Sequence, residues 1–565
     1  MNNQQLAFPT AKGAGAYATG GRGGQVIHVT TLDWDASGGL KEALQTQGAR
    51  IIVFDVSGEI DATQEGYYSE VIHGDIYDDL TIAGQTAPEG GITIRTNEFM
   101  FFDVSNVIIR YIRFRGTSNQ DTFWMQGGKN IILDHCTFSH GGDESGSLGS
   151  GFNRPSDATV AMGNITVQRC FFQDSKTGTI LGTEDAVNGG GIDGDFTVLN
   201  NVYSNISHRF PNPKGSGQYD IINNVVYNWK YRLIRITSAG TYNVINNYYK
   251  PSNNGLRLPA WFGTGSTKIY QQKISAHNET EIPLVYTSGN IVTGERETPQ
   301  TDDRDMWTGF YGSTEVAEYE QIPNRYFVTS MYPLVGQSFD IKSANQTYID
   351  LLEDVGANKT LNSDGSIYPY LDSKDTSDIL MIKDDTYSGN FYSEISTIPY
   401  PVVPENTRPA NFYISNPHIP EDYFIRRGVM SDSNSHNLVM ASGCTLMEEY
   451  LNEIDGESVI TNVENVILSP SLLNTIIGDT TEISVDVLPH NASNKTGIWS
   501  TSNNSVISIT QDGMVTGISE GTATITFTSN DGMITDTTEV TVTETEESND
   551  NDKLSKKYKI IIISK

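Results

Sequence analysis

The sequence predicts an all-β protein: a right-handed parallel β-helix followed by a small β-sandwich. Three observations carry that prediction. Short apolar runs recur from about residue 50, each closed by Gly, Asn or Ser, which are strand signals. Asn200, Asn223 and Asn246 each open an Asn-Asn pair, at a spacing of 23 residues taken twice (223 − 200 and 246 − 223). Beyond residue 460 the composition turns to Thr, Ser and Val broken by regularly spaced turns.

The elements follow in order. "RIIVFDVSG", "LTIAGQT", "GITIRT", "NVIIRYIRF", "NIILDHCTF", "NITVQRCFF", "FTVLNNVY", "YDIINNVVY" and "YNVINNYY" read as strands, apolar on alternate positions. One strand motif per repeat of 20 to 30 residues marks a solenoid. Parallel coils lie about 4.8 Å apart, so asparagines stacked at one turn can bond as a ladder. Asp134 and Gln168 are placed at the position of the first asparagine, which sets Cys136 and Cys170 in register as buried free thiols. Three cysteines do not make a disulfide scaffold. A sandwich throughout would explain the 23-residue recurrence less well.

From about 250 to 420 the repeats blur into polar loops, expected to pack on the solenoid with a few further coils. "CTLMEEYLNEI", 444 to 454, has helical spacing and reads as a terminal cap. The expected organisation is a β-helix over 1–455, a linker at 456–460, a sandwich over 461–545 and a polar linker and tail at 546–565. "WSTSNNSVISITQDGMVTGISEGTATIT" resembles the bacterial immunoglobulin-like (group 2) domain, usually a spacer or adhesion module.

Composition limits the function. With 37 Lys+Arg against 69 Asp+Glu, the formal charge of -32 argues against nucleic acid, whose binding needs a basic footprint. An anionic substrate would need a local basic groove or a bridging cation. No apolar run is long enough to span a membrane. The opening "MNNQQLAFPT" lacks an apolar signal core, so a leader either never existed or has been removed. Long acidic secreted enzymes look like this, and a monomer acting outside the cell or at its surface is expected.

Three clusters on the solenoid carry candidate chemistry. Asp121, Asp134, Asp143 and Glu144 fall within one or two coils, and carboxylates on neighbouring coils can converge on a hard cation. Lys176 follows in "SKTGTILG". Arg209 and Lys214 flank Pro211 in "HRFPNPK", where the proline stiffens the backbone. Each, read alone, is equally a surface group. Acids, then a lysine, then two more cations on successive coils suit an anionic sugar polymer.

At these residues the chain resembles polysaccharide lyase family 1, the pectate lyases. "AFPTAKGAGAYATGGRGGQVIHVTTL" and "LTIAGQTAPEGGITIR" are similar to the opening of its bacterial members. "IILDHCTFS" resembles its Asp-His motif, and "HRFPNPK" its Arg-x-Pro-x-x-Arg motif. The resemblance implies Arg209 as the catalytic base and Lys176 as the grip on the substrate carboxylate. Lys214 falls on a second substrate-binding position, where Lys replaces Arg and loses the bidentate fork. Asp121 and Glu144 fall on calcium ligands, with Asp143 as a substitute. The family's next carboxylate is absent because Leu148 stands there, and Asn119 replaces another aspartate.

The implied reaction is calcium-assisted β-elimination on 1,4-linked polygalacturonate, with an alkaline optimum, since a free guanidinium holds its proton to above about pH 12. His208 is a conventional base but should point away from Arg209's side, and Asp134 and His135 look structural. Trp229, Tyr231, Trp261 and Trp307 suit core packing better than sugar stacking. The alternatives are a calcium-independent lyase on methylated pectin, a hydrolase, for which clustered acids of the polygalacturonase sort are lacking, and a non-catalytic glycan-binding solenoid.

Overall fold

The computed structural model describes residues 4–63, 69–117, 120–149, 162–182, 194–230, 232–236, 239–252, 272–276, 282–311, 324–387, 395–440, 442–456, 463, 465–488, 495–529 and 533–544. The chain divides into two compact units, Met1–Tyr423 with Ser431–Leu438 and Cys444–Glu457, and Phe424–Met430 with Val439–Gly443 and Ser458–Lys565.

In the first unit, the longer sequence motifs prove to be two strands meeting at a corner. In "NVIIRYIRF" the strands are Val107–Arg110 and Ile112–Arg115, and Tyr111 between them has φ 57°. The same left-handed corner recurs at His135, Arg169, Asn200, Asn223 and Asn246, with φ from 50° to 58°. Asparagine tolerates that conformation better than other residues bearing a Cβ, which accounts for the repeated Asn. Strands before the corner stack into a ten-stranded sheet from Gln25–Val29 to Leu284–Ser288, in chain order. Nine strands after it form a second sheet, which Asn406–Thr407 extends at one edge in antiparallel pairing, and a six-stranded sheet closes the coil. The coils pair in parallel, making a parallel β-helix.

The register corrects one expectation. Asp134 pairs with Gln168, then Leu199, then Ile222, so the first asparagine of each pair aligns with His135 and Arg169. That asparagine makes the corner, and the second one makes the ladder. Asn201 Nδ2 donates to Asn224 Oδ1 at 3.0 Å, Asn224 to Asn247 at 3.0 Å, Asn247 to Asn290 at 2.9 Å, and Asn290 to Asp303 at 2.7 Å. Asn201 Oδ1 also accepts from the Cys170 amide at 2.9 Å, so the buried free thiols Cys170 and Cys136 continue the column. Each buried amide finds its partners one coil away, as a dry interior requires.

Inside the coil, aromatic rings stack at the same repeat. Phe114, Phe138, Phe172 and Tyr203 lie 5.3, 4.9 and 4.7 Å apart, centroid to centroid. Such pairs add about 0.5–1.5 kcal/mol each beyond their burial.

Outside, the helices Ala344–Leu351 and Ser373–Asp384 cover Phe171, Val202, Val225 and Tyr227 with Leu351, Leu352, Ile379 and Ile382. Arg115 donates to Asp372 at 2.5 Å and Asp375 at 3.1 Å beneath them. "LMEEYLN" does form a helix, Leu446–Asn452, opened by a capping box of Thr445 and Glu448. It is not a terminal cap. Glu448 accepts from Arg22 Nε at 2.6 Å, and Leu451 lines a small cavity with Ile51 and Ile108, so the helix covers the flank of early coils, whose outward isoleucines need shielding.

The second unit is a mainly antiparallel sandwich, in which Leu472–Ile476 runs parallel to Thr535–Thr543. Its main sheet contains Leu472–Ile476, Thr535–Thr543, Gly521–Ser529 and Gly497–Thr501. Alternate residues turn inward to a core around Trp499 and Phe527, whose rings meet edge to face at 5.0 Å.

Candidate active site

The six-stranded sheet positions the candidate residues. Its strands Phe123–Gln126, Ser147–Leu148, Ile180–Leu181 and Asn212–Pro213 are consecutive neighbours. Asp121, Asp143 with Glu144, Lys176 and Arg209 each stand just upstream of one of them. Parallel stacking therefore brings together residues that lie far apart in sequence.

Asp121, Asp143 and Glu144 each offer a carboxylate oxygen, and these lie within 4.8 Å of one another. Glu144 N–H donates to Asp121 Oδ1 at 2.8 Å, and Thr177 N–H to the Asp143 carbonyl at 2.9 Å. Arg209 Nη1 is ion-paired with Glu144 Oε1 and lies 3.4 Å from Thr177 Oγ1. Lys176 Nζ is 3.8 Å from Asp143, and its side chain is 44% exposed, against 6% for Glu144. Lys176 can therefore reach a ligand in solvent, whereas Glu144 is held by Arg209.

Arg209 adopts φ 74°, a left-handed conformation that costs a residue with a Cβ about 1 kcal/mol or more and clusters at functional sites. Its carbonyl accepts from Thr179 N–H at 2.9 Å, and the His208 carbonyl from Gly178 N–H at 2.8 Å. Gly178 is required for this approach: a Cβ there would sit 1.9 Å from the Arg209 carbonyl oxygen. The peptide Phe210–Pro211 is cis.

Burial, then the neighbouring Asp143, push the Asp121 carboxyl up to about 8, against Arg209 and Lys176. Glu98 is also pushed up to about 8, by burial and then by Asp121, and its Oε2 has no hydrogen-bond partner among the described residues. Burial lowers the proton affinity of Arg209, opposed by Asp143 and Asp121. His208 is buried, its Nδ1 lies 2.6 Å from Ser207 Oγ, and burial with Arg232 and Arg235 pulls it down to about 2. It stays neutral and enclosed, a poor general base.

Crowding of acids without a matching set of cations fits a cation site. Two oxygens on one calcium, at 2.3–2.6 Å each, lie at most about 5 Å apart, and the trio meets that limit.

The remaining candidates fall elsewhere. Lys214 is buried, its amide bonded to the Leu181 carbonyl at 2.8 Å. Leu148 pairs with Leu181 in the apolar core, so an acid in this orientation would be buried in the core. Asp134 is held by Arg110 at 2.8 Å and by Gln168 at 2.8 Å, and His135 stacks on Tyr111 at 4.8 Å. Trp229 and Trp307 pack in the core. Asn119, Tyr231 and Trp261 lie outside the described residues. Glu98, Arg232 and Arg235 escaped the sequence reading. The only signal was two arginines in "RLIRI", one coil beyond Arg209 in an acidic chain.

Fold and site together define a parallel β-helix domain with an acidic trio and a cationic edge on one face. Residues 6–260 match the family model described as pectate lyase, and 462–552 the one described as bacterial Ig-like domain (group 2). The β-helix is thus similar to the pectate lyase family over residues 6–260, and the segment that follows is similar to a bacterial immunoglobulin-like domain. Proteins named "Probable pectate lyase C" from Aspergillus flavus and Emericella nidulans are 35% identical over 217 residues and 37% identical over 219. Each match covers 38% of this chain and 45% of the relative, so the match spans about half the length of these relatives. Among solved structures, the major allergen from cedar pollen aligns over 61% of this chain and 92% of its own, with 16% identity and a TM-score of 0.41. A pectate lyase from Bacillus sp. N165, in complex with trigalacturonate, aligns over 61% and 98%, with 16% identity and a TM-score of 0.36.

Proposed function

We propose that this chain is a pectate lyase that cleaves 1,4-linked polygalacturonate by β-elimination, with a calcium ion held by Asp121, Asp143 and Glu144. The observation that carries this reading is the meeting of the three carboxylates with Arg209 and Lys176 across neighbouring coils. A bound calcium ion would draw charge onto the uronate carboxylate and so acidify the adjoining C5–H.

The chain's own residues do the rest. Lys176, exposed at the rim, pairs with the uronate carboxylate and stabilises the charge that develops there. Arg209, as the neutral guanidine, takes the C5 proton; the C5–H electron pair forms the C4–C5 double bond as the C4–O4 bond breaks, and the leaving O4 takes a proton from water. Only the neutral guanidine form of Arg209 can accept a proton, and two features of the site favour that form. Burial lowers its proton affinity. Its counter-charge is Glu144, and whatever draws that carboxylate away weakens the hold on the proton. Lys214 is assigned a supporting role in substrate binding, from its place in the motif.

The protein is read as a monomer working outside the cell or at its surface, with the immunoglobulin-like domain as spacer. No helix among the described residues is long and apolar enough to cross a membrane. A lyase on methylated pectin would have little use for the acidic trio, so the free-acid polymer is preferred.

The test is ultraviolet absorbance of unsaturated product from polygalacturonate, with and without EDTA. Absorbance that rises with calcium and stops on chelation is expected. Full activity after exhaustive chelation would remove calcium from the scheme, and a folded Arg209→Ala protein with wild-type turnover would remove the base.

A further inference from the structure

Arg232 is an anomaly that the reaction scheme leaves unused. It is 4% exposed, its Nε has no hydrogen-bond partner, and no ion pair or hydrogen bond to it occurs among the described residues. An unpaired buried charge is expensive, because desolvation is uncompensated. Its charged neighbours make matters worse: burial, then Arg235 and Arg209, pull its proton affinity down to about 9. A cation packed among cations, in a chain of net charge -32, has no anion beside it among the described residues.

Its place says which anion. The coil after Arg209 runs alongside it, with Lys230 N–H donating to the Ser207 carbonyl at 3.1 Å and Phe210 N–H to the Leu233 carbonyl at 3.4 Å. Arg232 therefore lies opposite Arg209, one coil further from the acidic trio. Along this face the order is carboxylates, Lys176, Arg209, Arg232. A polyuronate laid along the coils carries one carboxylate per sugar, so a second one must fall beyond the reacting unit.

We propose that Arg232 is the buried half of a second carboxylate-binding position, which takes the uronate of the sugar next to the one that loses its proton. This rests on the polygalacturonate reading and deepens it: the free acid is demanded at two adjacent sugars. Guanidinium and carboxylate match as a planar fork, so a methyl ester at that sugar is rejected for want of charge.

Trigalacturonate binding by calorimetry, with calcium present, compares the wild type with Arg232→Met and Arg232→Lys, alongside steady-state kinetics and thermal unfolding. Arg232→Met keeps the length and removes the charge. It should weaken binding and raise KM at least about tenfold, hold kcat within about threefold, and reduce the preference for unesterified over methyl-esterified polymer. Its Tm should equal or exceed the wild type's, because an unpaired charge has been removed from the interior. Arg232→Lys should recover part of the affinity. Unchanged binding and KM in Arg232→Met, at any Tm, overturns this inference while leaving a lyase that still turns over. A wild type that neither binds nor cleaves polygalacturonate overturns both readings.

Discussion

The first unit has two buried charged centres, and they are built on opposite rules. Around Asp134 each charged group has an opposite charge beside it, although Arg110 Nη1, both His135 ring nitrogens and Asp455 Oδ2 make no hydrogen bond among the described residues. Arg110 meets Asp134 and Asp455, Gln168 donates to Asp134, and His135 lies 3.0 Å away. Although burial pushes Asp134 up, His135 and Arg110 hold it below the usual carboxylate range. Around Asp121 the charges outnumber their answers. Three acids crowd together, Arg209 is shared between them and a strained backbone, Glu98 has an unbonded oxygen, and Arg232 has no counter-ion among the described residues. Satisfied charges hold coils together, whereas unsatisfied ones wait for a ligand. The "LDH" motif, among the most recognisable in the chain, belongs to the first kind.

The contrast can be broken by experiment. Arg209→Ala should lower kcat on polygalacturonate by roughly 10²–10⁴, the range of a lost general base, with a smaller shift in unfolding than the next variant shows. Asp134→Ala should do the reverse, costing about 3–5 kcal/mol in denaturant unfolding because Arg110 is left half paired in the interior. Equal losses of activity and stability in both variants would erase the distinction.

Glu98→Gln sharpens it through pH. The folded carboxyl titrates at about 8, well above its ordinary value of 4.5. The folded state therefore keeps a proton that the unfolded chain releases. Wild-type stability should fall as pH rises from 4.5 towards 8 and level off above it, by an amount on the order of a few kcal/mol. Chelated Glu98→Gln protein should show a flatter profile over that window. Asn224→Ala probes a satisfied network without charge: two ladder neighbours lose partners, at about 1–3 kcal/mol in unfolding, with KM unmoved.

Much of the β-helix was legible because its signal is local. A strand motif of fixed length, a corner asparagine and a 23-residue repeat all lie within one coil. The frame was still misplaced by one residue, since sequence alone does not say which asparagine turns and which one stacks. The helices at Ala344–Leu351 and Ser373–Asp384 went unread for a different reason. The face of the second mixes Ile379 and Ile382 with Asp375 and Asp378, and those acids make sense only beside Arg115 of a distant coil and Lys374 of the same helix.

The sequence by itself determined the repeating strand, the sandwich that follows, and the residue types of the site, because each is written in short-range pattern. Only the tertiary structure decided which charges are paired. Pairing depends on what the next coil places about 4.8 Å away, and residues such as Glu98 and Arg232 carry no motif to announce that their partners are missing.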